Sequence, residues 1–104
     1  MFEFIETTVF KKQVSRYLTD DEFSALQWWI GLHPESGDLI PKSGGLRKLR
    51  WEGKGRGKSG GYRVIYYLQD HLGRVWLLTI YAKNEETNIP AHKLREMRRR
   101  LIDE

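Results

Sequence analysis

A chain of 104 residues is long enough for one domain with one core, and it needs no covalent staple to fold. It contains no cysteine, which excludes a disulfide framework and thiolate metal ligands and fits a reducing, cytoplasmic compartment. The formal net charge of +4 is unevenly spread: residues 42–63 carry eight Lys or Arg against one acid, about +7, so the remainder is slightly acidic.

The opening MFEFIETTVF alternates acids with apolar residues, lacks the basic start and continuous apolar run of a signal peptide, and predicts a short strand over Phe2, Phe4 and Ile5. No stretch approaches membrane-spanning length, so no membrane association is expected. The period then changes. Phe10, Val14, Tyr17 and Leu18 recur at helical spacing with Lys11, Lys12 and Arg16 between them, which predicts an amphipathic helix capped by Thr7 or Thr8. A second helix follows at once: Thr19 and Glu22 have capping-box spacing, Asp20 and Asp21 suit the positive end of the helix dipole, and Phe23, Leu26 and Ile30 make its apolar stripe. Gly31 and Pro34 end it, and so short a connection predicts two antiparallel helices in a hairpin. Trp28 and Trp29 cannot both face one core, so one is expected in an interhelical groove or on a partner surface.

Turn formers fill 34–45, PESGDLIPKSGG, and lead into three strand-like runs: LRKLRWE at 46–52, YRVIYYLQ at 62–69 and RVWLLTIYA at 74–82. The last two, joined by DHLG, form an antiparallel hairpin. Between the first two lies GKGRGKSGG, with five glycines in nine positions. A terminal helix is predicted from Asn88 to Asp103, with Pro90 in its first turn and Leu94, Met97 and Leu101 on its apolar face. The expected architecture is a single α+β domain, a small antiparallel sheet packed by an N-terminal helical hairpin, with a C-terminal helix and one sheet face left open to a ligand.

Period-two alternation puts Arg63, Ile65 and Tyr67 on one side of their strand and groups Thr79, Tyr81 and Lys83 on the next. Hairpin pairing brings Arg63 close to Tyr81 and Lys83, with Lys54, Arg56 and Lys58 overhanging from the glycine-rich segment. Basic residues gathered this densely can neutralise several phosphates at once, which is the electrostatic requirement of a nucleic-acid surface. Arg47, Lys48, Arg50 and Arg56 are the expected RNA contacts. His33, His71 and His92 share no ligand spacing, and no metal or cofactor is expected.

The segment GGLRKLRWEGKGRGKSGGYRVIYY, followed by LLTIYAKNE, resembles the central motif of RelE/HigB-type toxins of bacterial type II toxin–antitoxin systems, and is most similar to the HigB branch. The resemblance runs from the helical hairpin through the terminal helix and implies a RelE-like fold. It also implies a ribosome-dependent endoribonuclease, an mRNA interferase acting in the A site of the 70S ribosome. A HigA-like helix-turn-helix antitoxin would hold it silent and would be its only link to operator DNA. Carried over by residue, the family's basic loop falls on Lys54, Arg56 and Lys58, the arginine that contacts the scissile phosphate on Arg63, and the strand end on Tyr81 and Lys83. Asn84 stands where the best-known RelE pattern has arginine, which leaves the general acid and base unassigned among Lys54, Lys58, Tyr81 and Lys83.

The chemistry needs no metal. Attack by a 2′-hydroxyl on its own phosphate requires a base, an acid for the departing 5′-oxygen and a cation for the extra charge on phosphorus. Arg63 suits the last task, since guanidinium donates two parallel hydrogen bonds to phosphate oxygens and keeps its charge. The same basic surface would also serve a non-catalytic RNA- or ribosome-binding module, or an inactive toxin relative acting as an antitoxin-binding corepressor.

Overall fold

The computed structural model describes residues 2–52, 61–85 and 88–102. Elements follow in the order β1 (Glu3–Glu6), α1 (Thr8–Tyr17), α2 (Asp20–Leu32), β2 (Asp38–Leu39), β3 (Leu46–Trp51), β4 (Tyr62–Gln69), β5 (Arg74–Ala82) and α3 (Ala91–Ile102). The five strands form one sheet in the order β1-β5-β4-β3-β2. Pairing along β2-β3-β4-β5 is antiparallel, but β1 runs parallel to β5, with Glu3 opposite Arg74 and Glu6 opposite Leu77. The sheet is therefore mixed, and the expectation of a purely antiparallel one is corrected. The two residues of β2 lie within the stretch that reads in sequence as turn only.

Both early helices start as their sequences predict. Thr7 Oγ1 accepts from Phe10 N at 2.9 Å and donates to Leu78 O at 2.7 Å, so one hydroxyl caps α1 and ties it to β5. Thr19 and Glu22 complete a reciprocal capping box at 2.9 and 3.1 Å, with Asp20, Asp21 and Glu22 in the first turn of α2. Only Leu18 and Thr19 separate the helices, and they meet where the rings of Phe10 and Phe23 stand 5.7 Å apart. Neither tryptophan enters the core. Trp28 is 66% exposed, while Trp29 donates to Ser36 Oγ at 3.1 Å and packs on His33.

Two cores result, one on each sheet face. Phe10, Leu26 and Ile30 from the hairpin pack on Leu49, Val64, Tyr66, Val75, Leu77 and Ile80. On the other face Leu94 of α3, supported by Met97 and Leu101, packs on Leu46, Ile65, Leu78 and Tyr81. The face expected to be open is thus occupied by α3. The physical reason is visible in β4, where Val64, Ile65 and Tyr66 are successive apolar residues that are all buried: such a run must be covered on both sides. Helix α3 begins later than its sequence pattern predicts. Pro90 O accepts from Leu94 N at 3.2 Å, so the proline caps the helix and is not inside its first turn.

The β4–β5 register contains one irregularity that decides where functional side chains point. Ile65 pairs with Thr79 and Tyr66 with Leu77, leaving Leu78 as an extra residue. This bulge shifts the alternation of β5 by one, so Val75 and Leu77 before it and Ile80 after it all face the hairpin, while Trp76, Leu78 and Tyr81 face α3.

Candidate functional site

The strand ends remote from the Asp70–Gly73 turn bring three of the expected residues into one row. Arg63 lies opposite Arg50 on β3 and opposite Tyr81 on β5, and alternation places all three on the α3 side of the sheet. Lys48, one step along on the same side, donates to Asn88 Oδ1 at 3.2 Å and so connects β3 to the approach to α3. Arg63 is only 9% exposed and its Nη1 contacts Tyr62 O at 3.4 Å, whereas Arg50 is exposed. Tyr81 is 4% exposed. Two buried side chains beside one exposed cation give a guanidinium held in place before any ligand arrives, the arrangement that transfers least entropy cost to binding an anion.

Of the remaining expected residues, Lys83 is exposed in the turn after β5, and its backbone N–H donates to Gly61 O at 3.3 Å, extending the ladder past the last strand pair. Thr79 is engaged elsewhere, donating to Gln13 of α1 at 2.9 Å. Arg47 is set apart from Lys48 and Arg50. It lies on the hairpin side, and its Nη1 donates to Gly37 O at 2.8 Å and Glu35 O at 3.2 Å, binding the 34–37 turn together with Tyr66 Oη. Its guanidinium is thus committed to the fold. Lys54, Arg56 and Lys58 lie outside the described residues. The segment that carries them departs at Glu52 and returns at Gly61, on either side of the Trp51–Tyr62 pair. Gly61 has φ of 55°, and a Cβ there would stand 2.7 Å from Trp51 O, so no other residue fits the return without distortion.

Around the strand end on the hairpin side is a cluster that the sequence does not reveal, since its members are 68 positions apart. Tyr17 Oη donates to Glu85 Oε1 at 2.6 Å, Arg16 stands 3.8 Å from Glu85 Oε2, and the ring of Tyr17 packs on Tyr62 at 5.1 Å. The end of α1 is thereby fastened to the turn that carries Lys83 and Asn84, and Arg16, Tyr17, Asn84 and Glu85 line a cleft with Gly61, Tyr62 and Ala82. The hydrogen bond to Glu85, then burial, raises the Tyr17 pKa above its ordinary 10.0; proximity to Arg16 opposes this. A raised value means that the fold favours the protonated phenol. Its stabilisation is complete below pH 10 and is lost as pH rises through the folded value. Tyr17→Phe is therefore expected to lower stability at pH 7 by about 0.5–1 kcal/mol, a small effect because the pair is exposed, and to shrink the further loss above pH 10. Urea unfolding at pH 7 and at alkaline pH measures both.

Among the described residues no group of three or more His, Asp or Glu side chains is placed to hold a metal ion, and no helix is long and apolar enough to cross a membrane. An apolar groove between β1 and α2, lined by Phe2, Phe4, Trp28 and Leu32, lies away from the Arg50–Arg63–Tyr81 row. None of its lining side chains ionises in the ordinary range, so it offers a docking shape and no acid–base chemistry. No protein-family model matches this chain.

Proposed function

We propose that the protein is a RelE/HigB-type toxin, a ribosome-dependent endoribonuclease that cuts translated mRNA and stops protein synthesis in the cytoplasm. The observation that carries this reading is the direct opposition of Arg63 and Tyr81 across β4 and β5, with Arg50 next in the row and the basic segment 53–60 leaving from the same end. In this reading the 2′-oxygen attacks the adjacent phosphorus, the bond to the 5′-oxygen breaks, and the products are a 2′,3′-cyclic phosphate and a 5′-hydroxyl. Arg63 holds the phosphate and offsets the charge gained in the pentacoordinate state. The proton taken from the 2′-hydroxyl and the proton given to the 5′-oxygen are assigned to the set Lys54, Lys58, Tyr81 and Lys83. A HigA-like helix-turn-helix antitoxin is the proposed partner, and operator DNA is reached only through it.

A second reading, a module that binds RNA or the ribosome without cutting, gains support from the low exposure of Tyr81. A proton donor buried to that extent has little room for a leaving oxygen. Tightly induced expression separates the two. The interferase arrests translation and leaves codon-linked ends on translated messages, mapped by primer extension. Intact messages in the presence of folded protein would overturn the toxin reading in favour of the binding module.

A further inference from the structure

The C-terminal helix carries charge that the Arg63 row does not use. Residues 88–102 hold five Lys or Arg and one acid, Glu96. That acid is already engaged within the helix, by Arg99 and by Arg100 at 3.5 Å. The other cations gather along a groove between α3 and the Ser43–Gly44 turn, lined by His92, Lys93, Arg95 and Arg98 among others.

Helix electrostatics do not account for this placement. Arg99 and Arg100 in the last turn are ordinary partners of the negative end of the dipole, but Lys93 occupies the first turn, which contains no acid and where a cation is disfavoured. The same chain obeys the rule in α2, whose first turn is Asp20, Asp21 and Glu22. Two of the cations are also held in place. Arg95 Nη1 donates to Lys42 O at 2.7 Å, and the Arg98 guanidinium lies 4.8 Å from the Tyr67 ring centroid and donates to Tyr67 Oη at 3.2 Å. Gly44, at φ 83°, lets the turn approach so closely that a Cβ there would stand 2.9 Å from Arg98 Cδ.

We infer that this groove is a second nucleic-acid site, one that binds the sugar–phosphate backbone of duplex RNA independently of sequence. Fixed arginine forks match phosphate oxygens. Among the described residues the groove presents no exposed Phe, Tyr or Trp ring, since Tyr67 lies beneath Arg98, and His92 is its one exposed ring, so the fixed cations favour contact to backbone over single-stranded bases. It also lacks the apolar anchors that a protein interface places at its centre. Helix α3 is packed on the sheet through Leu94, Met97 and Leu101, so the groove that remains is lined mainly by charged side chains and their stems, suited to the backbone of A-form RNA along its wide, shallow minor groove. The assignment stands whether or not the chain cuts RNA.

The test is binding of the full chain to a blunt 20-base-pair RNA duplex, followed by fluorescence anisotropy across a range of KCl concentrations. Wild type is expected to bind with a steep salt dependence. Lys93→Gln/Arg95→Gln, at two exposed positions, is expected to reduce the log–log salt slope by about 1–2 and to weaken binding about tenfold at physiological salt. Lys11→Gln/Lys12→Gln removes the same charge from α1 and is expected to leave the slope unchanged. No binding by wild type, an unaltered slope in the α3 variant, or an equal fall in the α1 variant would overturn the site. Tighter binding to the matching DNA duplex would overturn the RNA assignment, and retention on polyglutamate without RNA binding would assign the groove to an acidic polypeptide instead.

Discussion

Arg63→Ala is expected to reduce the rate of message cleavage by about 10²–10³-fold, the usual loss when a fixed donor to a charge-developing oxygen is removed. The size of the effect follows from the position of the side chain. Arg63 is nearly buried between Arg50 and Tyr81 in the sheet register, which holds its guanidinium in place, whereas Arg50 on the adjacent strand is exposed. Arg63→Lys distinguishes charge from geometry. It retains the cation, but a compact ammonium cannot donate two parallel hydrogen bonds in one plane, and activity should remain at least tenfold below wild type. Removing a mostly buried side chain also costs stability, so cleavage by each purified variant is to be read beside its urea midpoint. Near-wild-type cleavage by a folded Arg63→Ala protein would remove Arg63 from the chemistry and leave the binding module as the better reading.

The largest structural effect is expected at Leu94. It is the one side chain of α3 described as fully buried, at 1% exposure, and it fills the space above Leu46, Ile65, Leu78 and Tyr81. Truncation to alanine both removes transfer free energy and leaves a cavity, a loss of about 2–5 kcal/mol against a total stability of about 5–15 kcal/mol for a domain of this size. The effect should be felt locally first. With its main anchor gone, α3 separates from the sheet more often, and trypsin gains access to the arginines at 95, 98, 99 and 100. Limited proteolysis should therefore show faster cleavage in α3 than in the hairpin, while Val9→Ala, at an exposed position of α1, changes neither stability nor cleavage pattern.

Much of this architecture is legible in the sequence because its signals are local. Thr7 and Thr19 announce their helices through hydrogen bonds that span three residues, and the DHLG connection sets the β4–β5 hairpin. What the sequence conceals is decided by contacts between distant segments. The parallel pairing of β1 with β5 joins residues about seventy positions apart, and no short-range pattern reports it. The covering of the second sheet face by α3 had a signal that is easily misread. VIYYL at 64–68 and VWLL at 75–78 are continuous apolar runs, which call for two covered faces, although the alternation around Arg63 and Thr79 can also be read as one buried and one open face. The candidate site divides in the same way. Arg63 and Tyr81 follow from hairpin pairing, whereas the commitment of Arg47 to the carbonyls of Glu35 and Gly37, and the fastening of Tyr17 to Glu85, depend on how loops fold back on the sheet.

The unpaired residue in β5 gives strand register a meaning of its own. Were Leu78 paired with Ile65 instead of bulged, Ile80 would stand opposite Arg63 and Tyr81 opposite Tyr62, so a branched hydrocarbon would meet the guanidinium and the phenol would be driven into the hairpin core. Composition would be unchanged and every strand would still pair. The row of polar groups would nevertheless be dismantled, because its identity is carried by the one residue of β5 left out of the ladder. Removing Leu78 itself would instead leave Thr79 opposite Ile65 and Tyr81 opposite Arg63 in a regular ladder, so the row depends on that residue staying unpaired and not on its presence.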